Sequence, residues 1–591
     1  MDGILDFDHE FDVNLFDRVI YALFNGSGAE QAEAQRVLTL FQEHPSAWQR
    51  VPYILSTTTN QHAQYLCCNI LDKLIQTRWK ALSVEHRQDI RSFITTVIIA
   101  TSESEDKLRR ERLYLHKLNL LLVQQPGETE PFIDEILRTI YRITNDLRET
   151  QMQTFYEALG YMIASQPNKN TQDALIRQMM ESPNQAWTGE MQLARQGINI
   201  VVDSEHAKVL SNVLKTNVAV CVSLGSFYWT QLTYIWNDLL AVYRAASSAI
   251  SEAVATGGPQ AVNMQNVRTC RAVKKDVLRL IDTFIRKAED LDQVNRLLVP
   301  QLFEAVLSDY REVLPAARDA EVINVVHTAV SRLGGMVIDC IPAIIESIFE
   351  PTLAMISGNE TEFPEQRLAV FRLLRAIDAY SFEGLLKLQP GSLYNVLNSI
   401  GFAFKHMQRD VAEVGLATCL DAINNFALSS PDISNAFFTS YYLTILGDIL
   451  QVLTDSDHKG GFKGQCAVLQ RLIQLVIAND IHTPLYDPSQ IPAKTNDEFI
   501  RSQLTTMLNS AFGHMSPIQI DRFVQNLWDY SGDGGRFRLA VRDFLITLKE
   551  FAGDNAELFK EDKEMEVQKQ REMQMRVPGM VKNESMDDEE L

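Results

Sequence analysis

Residues Ala63 to Lys80 read AQYLCCNILDKLIQTRWK, and this stretch decides the fold. Apolar side chains fall in pairs at Leu66/Cys67, Ile70/Leu71 and Leu74/Ile75, four residues apart. That spacing lays one broad apolar stripe along a helix and turns Asn69, Asp72, Lys73 and Gln76 outward. The cationic end, Thr77-Arg78-Trp79-Lys80, suits the negative pole of the helix dipole. A lone helix of this length is marginal in water, so the stripe has to dock on neighbours. Similar stripes flank it: Ala32 to Gln42 before, His86 to Ala100 after. The repeating unit is therefore a stacked pair of helices.

Working outward, helices are expected near residues 29–43, 47–58, 61–80, 84–100 and 104–123, broken at His44-Pro45-Ser46, Thr59-Asn60 and Leu82-Ser83. Breaks this short fold consecutive helices back on one another. Gln125 to Pro131 interrupts the series, and a new one begins at Phe132. Punctuation at Gln166-Pro167, Gly258-Pro259, Phe363-Pro364, Gln389-Pro390 and Ser430-Pro431 sets helix pairs at a loose period of ~40 to 50 residues, the range of HEAT-type arrays. The fold class is all-α: a HEAT-repeat α-solenoid of antiparallel helix pairs forming a superhelical arch. Four segments follow: 1–124, a junction at 125–131, a long array at 132–553, and a terminal helix with acidic tail at 554–591. The last segment holds twelve Asp and Glu against six Lys and Arg, a composition that favours disorder.

The totals restrict function. Of 591 residues, 46% are hydrophobic and 22% charged, which describes a folded protein. A net charge of −21 argues against general nucleic-acid binding, since phosphate contact needs clustered cations. No apolar run is expected to come near the ~18 to 20 residues that span a bilayer, and the acidic start MDGILDFDHE lacks the basic region of a secretory signal. The seven cysteines have no metal-ligand spacing and are expected as reduced, buried thiols.

Catalytic signatures are missing. There is no phosphate-binding GxxxxGK[ST], no GxSxG, no HExxH and no CxxC. Asp455-Ser-Asp-His-Lys459 opens like a calcium loop but places Lys459 and Cys466 where oxygen ligands are required. A binding protein without cofactor or metal is expected rather than an enzyme. Two basic clusters remain. Lys107, Arg109, Arg110 and Arg112 sit among acidic residues as a solvated face. Arg268, Arg271, Lys274, Lys275 and Arg279 fall at three-, four- and eight-residue offsets, so they are expected as a one-sided basic stripe. Such a stripe suits an acidic segment, including the chain's own tail.

Several stretches carry a family resemblance. Ala32-Glu-Ala-Gln-Arg-Val-Leu38, His44-Pro-Ser-Ala-Trp48 and Ile75-Gln-Thr-Arg-Trp-Lys80 resemble the N-terminal domain of the importin-β (karyopherin) family, in its exportin-1 branch. Phe155 to Ile163, Val313-Leu-Pro-Ala-Ala-Arg318, Leu333-Gly-Gly335, Ala403-Phe-Lys-His406, Asp543-Phe-Leu545, Lys549 to Asp554 and Val577-Pro-Gly579 resemble the C-terminal part of that branch. The resemblance implies nuclear export of proteins bearing leucine-rich signals, with Ran-GTP and FG nucleoporins as partners and shuttling between nucleus and cytoplasm. It implies no nucleic acid and no membrane insertion. Family members run to nearly twice this length, and the family's export-signal groove, reactive cysteine and acidic loop match no stretch here. That site is carried over to no residue. In the inner helix His86 to Ala100, Ile90, Phe93, Ile94, Val97 and Ile98 are expected in the core. Arg91 and Thr95 are left to face Ran.

Overall fold

The computed structural model describes residues 1–548, except 8, 10, 26–28, 59, 79–81, 84, 88, 91–92, 94–129, 146, 359–360 and 490–494, together with 556–559. Helices account for almost all of it, and no strand occurs among the described residues. The chain divides into two compact units, Met1–Glu321 and Val322–Leu591.

The first unit opens with α1 (Val13–Asn25), α2 (Ala29–Glu43), α3 (Ala47–Thr57) and α4 (Gln61–Arg78). The paired spacing in α4 works as expected: Cys67, Ile70, Leu71 and Leu74 are buried and Lys73 is exposed. They share a core with Phe16, Val37, Phe41, Val51 and Ile54. The rings of Phe16 and Phe41 lie 5.2 Å apart, and burying each contributes about 1.5–3 kcal/mol. Polar ties fix the edges of this core. The Thr58 hydroxyl donates to the Asp17 carboxylate at 2.8 Å, and Arg50 donates to the carbonyls of Phe7 and His9 at 2.8 and 2.7 Å.

The next described helix, α5 (Glu130–Arg138), begins earlier than the sequence reading placed it. Proline in a first helical turn removes only an amide that has no partner there, so Pro131 belongs to the helix and not to a junction loop. From here the unit is a stack in which α6 (Glu149–Ala164), α7 (Ser204–Leu224) and α9 (Gln265–Lys287) pack in sequence, with α8 (Trp229–Gly257) against α9 and α10 (Val299–Glu312) against α8.

In the second unit α11 (Pro364–Tyr380), α13 (Arg409–Leu428) and α15 (Phe462–Ile477) stack in the same way. The helix α12 (Pro390–Phe404) packs on α13, and α14 (Pro431–Thr454) packs on α15. Proline opens α11, α12 and α14, so three of the breaks read from the sequence are helix starts.

The repeat period is written in the side chains. Some interhelix hydrogen bonds span a similar length of chain: Gln231 to Asn184 at 47 residues, Arg271 to Asp319 at 48. In the second unit Ser381 reaches the Gly334 carbonyl at 47, Asn425 reaches Asp378 at 47, and Arg471 reaches Asn424 at 47. Equivalent positions of successive helix pairs face one another in a helical-repeat array, so one period of chain separates each donor from its acceptor. These separations fall within the HEAT-type rhythm expected from the punctuation, while other interhelix bonds span longer stretches, such as Tyr243 to Asp309 at 66 residues.

One expectation on hydropathy needs correction. Helical stretches 204–257, 320–356, 409–428 and 431–454 are long and apolar enough on average to cross a membrane. Each contains a window with at most two charged residues, and the stretches also carry uncharged polar residues such as Asn217, Thr418 and Ser434. About half of each such window is buried, with all three of these polar residues inside.

Candidate functional site

The two groups of residues singled out from the sequence fare differently. Arg91 and Thr95, the expected Ran-facing pair, lie outside the described residues, as do most of the helix His86 to Ala100, the cluster Lys107 to Arg112 and the tail beyond Phe559. Of the core positions expected in that helix, Ile90 is buried and Phe93 packs against the same cluster.

The basic residues of α9 are fully described, and they do not form one solvent-facing stripe. Lys274 is 2% exposed. It follows Cys270 by four residues and precedes Val277 and Ile281 by three and seven, which puts it on the apolar face of α9. Its ammonium donates to Asp309 on α10 at 2.6 Å and to the Ser247 hydroxyl on α8 at 2.8 Å. The same ammonium lies 5.0 Å over the Tyr243 ring. Tyr243 donates to Asp309 at 2.7 Å, and Ser247 also donates to that carboxylate. Burial foremost, with the Asp309 charge, holds the Tyr243 hydroxyl protonated far above the ordinary tyrosine range. Four side chains from three helices thus satisfy one buried ion pair.

Around this knot the other cations divide. Arg271 donates to Asp319, itself 2% exposed, at 3.0 Å. Lys275 pairs with Glu321 at 2.8 Å. Arg268 and Arg279 are exposed. They stand eleven residues apart, about three helical turns, so they share a face with Lys275 at the seventh position. What remains for an outside partner is this narrower ridge. Asp276 beside it is buried, which raises its carboxyl above the usual range, opposed by the Ser211 hydroxyl and by Lys215.

The second unit holds a feature that sequence reasoning passed over. A cleft of about 250 Å³ opens between α12, α13 and α14, lined by Leu397, Ile400, Phe404, Cys419, Phe437 and Tyr441. Lys405 and Asp448, which also line it, pair at 2.9 Å. The residues come from three helices spread over some forty positions, so no local pattern announces them. The Cys419 thiol in its lining is buried, which drives its ionisation far upward. Asp455, at the start of the incomplete calcium-type loop, caps a local turn by accepting from the Asp457 amide at 3.0 Å.

The family assignment rests on two matches. The importin-β N-terminal domain model covers residues 34–100, and the CRM1 C-terminal model covers residues 231–553, more than half of the chain. The chain belongs to the exportin-1 (CRM1) family. Among curated exportin-1 relatives, that of Schizosaccharomyces pombe is 48% identical over 478 residues, 80% of this chain and 44% of that protein. Exportin 1B of Arabidopsis thaliana is 36% identical over 471 residues, 79% of this chain and 44% of its own length. The chain thus spans less than half the length of the exportin-1 relatives it matches. Among solved structures, importin β aligns over 91% of this chain and 58% of its own, with 11% identity and a TM-score of 0.47. Kap121p bound to RanGTP aligns over 90% and 56%, with 10% identity and a TM-score of 0.41.

Proposed function

We propose that this chain acts in nuclear export as a receptor chain of the exportin-1 type, shuttling between nucleus and cytoplasm and responding to Ran-GTP. The observation that carries this reading is the pairing of an importin-β N-terminal domain at 34–100 with a CRM1 C-terminal region at 231–553 in one chain. Its work is binding, which helical repeats perform through extended surfaces without a catalytic constellation. Ran-GTP is assigned to the N-terminal block, with Arg91 and Thr95 as its contacts. The apolar cleft between α12, α13 and α14 is assigned to the phenylalanines of FG nucleoporins. Proteins with leucine-rich export signals are the cargo class.

A second reading is favoured by the 44% coverage of the relatives. In it the chain binds Ran-GTP and nucleoporins as a scaffold and does not hold the export signal. Fluorescence anisotropy of a labelled leucine-rich export peptide, titrated with and without Ran-GTP, separates the two. If both sites are present, Ran-GTP tightens peptide binding, and the coupling is reciprocal. Ran-GTP binding with no peptide binding selects the scaffold.

We also propose that the exposed ridge Arg268, Lys275 and Arg279 takes an acidic segment, with the chain's own tail as occupant. Lys274 cannot test this, because it is structural. The double variant Arg268→Glu and Arg279→Glu is expected to speed protease cleavage of the last thirty residues several-fold, through loss of charge pairing. An unchanged cleavage rate would remove the tail from this ridge.

A further inference from the structure

Asp378, near the end of α11, is 1% exposed and sits at the joint between α11 and α13. Asn425 of α13 donates to its backbone carbonyl at 2.8 Å and to Oδ1 of its carboxyl at 3.3 Å. The other carboxyl oxygen, Oδ2, has no hydrogen-bond partner among the described residues. A buried carboxylate ordinarily takes a cation or several strong donors, and among the described residues neither is present.

The surrounding groups deepen the contrast. From α13 come Cys419, Asp421 and Asn425. Arg375, one turn before Asp378 on α11, is directed to Asp421 at 3.3 Å. Of the segments packed on the other sides of α11, Asp339 is held by Lys387 at 2.6 Å and Glu350 accepts from Ser392 at 2.7 Å. Glu346 and Glu383 are exposed. Burial foremost pushes the Asp378 carboxyl up to about 7, with Asp421 adding to the rise and the Asn425 amide opposing it. The neighbouring Cys419 stays a neutral thiol for the same reason.

We infer that Asp378 is a proton-controlled joint between two successive repeats: neutral, it lets α11 and α13 close on each other, and ionised, it opens them to water. The ionised form carries a charge with one weak donor, a free oxygen and a second carboxylate nearby. Its cheapest relief is hydration, which requires α11 and α13 to part. The folded group holds its proton more tightly than an unfolded aspartate. Closure is therefore favoured at low pH and weakens as pH rises from the ordinary aspartate range through about 7.

Hydrogen exchange on the full chain tests this, with amide protection in 364–380 and 409–428 corrected for intrinsic rates at about pH 6 and about pH 8.5. The wild type is expected to lose about ten-fold or more of its protection in these two helices at the higher pH. The nearly isosteric Asp378→Asn, which keeps an acceptor for Asn425, is expected to show equal protection at both. Asp421→Asn is a second, independent arm. By removing the neighbouring charge and freeing Arg375 it should shift the wild-type midpoint to lower pH. Equal wild-type protection at the two pH values would overturn the inference, as would an unchanged pH dependence in both variants.

Discussion

Replacing Lys274 with methionine is expected to lower the stability of the first unit by about 3 kcal/mol, the low end for breaking a buried ion pair. Methionine keeps the length and apolar stem of lysine but removes the ammonium that meets Asp309 at 2.6 Å and Ser247 at 2.8 Å. Asp309 retains the hydroxyls of Tyr243 and Ser247, which is why the loss stays at the low end. The control is Lys275→Met. Lys275 pairs with Glu321 at 2.8 Å, but the two side chains are 39% and 33% exposed, and exposed pairs are worth about 0–1 kcal/mol. Urea midpoints read by hydrogen exchange within α8 to α10 measure both. Equal shifts for Lys274→Met and Lys275→Met would refute the structural role of Lys274. If Asp309→Asn is added to Lys274→Met, the double variant should recover part of the loss, since no unpaired charge remains.

A comparable effect is expected at Gly415, where α13 crosses the end of α12. A side-chain carbon there would stand 2.7 Å from the Ala403 carbonyl carbon and 2.8 Å from its Cβ, and it would also strike the Phe404 amide nitrogen. Two of these obstacles are backbone, which cannot rotate aside, so the helices must separate and the apolar contacts between them loosen. Gly415→Ala is expected to cost about 2–3 kcal/mol, at the upper end for overpacking, and Gly415→Val more. Gly189, on the helix Glu181–Arg195, has open space where its Cβ would be. There Gly189→Ala should stabilise by about 0.5–1 kcal/mol through helix propensity alone. Thermal midpoints of the two alanine variants should move in opposite directions, and a downward shift of similar size in both would show that the α12–α13 crossing is not the cause.

Much of the fold was legible because its information is local. The stripe of α4 and the bounds of α2 follow from spacing and punctuation within fifteen to twenty residues, and the structure places α2 at Ala29–Glu43 as read. The period was legible only loosely from the loops. Contacts such as Asn425 to Asp378, 47 residues apart, depend on how layers stack and leave no local trace. The break after Leu333 illustrates the same limit. Gly334 has a φ of +51° beside the Tyr380 carbonyl, and a 3₁₀ segment and a π-helical turn at Ile345–Phe349 follow. These irregularities answer to packing on α11, which the local pattern does not encode.

The basic residues of α9 differ from the sequence expectation for another reason. Reading offsets among cations alone made Lys274 part of a solvent stripe. Setting the same position against Cys270, Val277 and Ile281 places it on the buried face. That signal was present in the sequence. Its acidic partner was not, because Asp309 lies 35 residues away on another helix. The cleft beside Cys419 and the isolated carboxyl of Asp378 are likewise products of assembly, since each draws on helices separated by a repeat.

Ran-GTP response is the proposed property on which the function turns. The most direct measurement is anisotropy of fluorescent Ran titrated with the full chain, loaded with GTP in one series and GDP in the other. Ran-GTP is expected to bind and Ran-GDP to bind at least about ten-fold more weakly, a difference of about 1.4 kcal/mol or more. Equal binding of the two forms, or binding of neither, would contradict it.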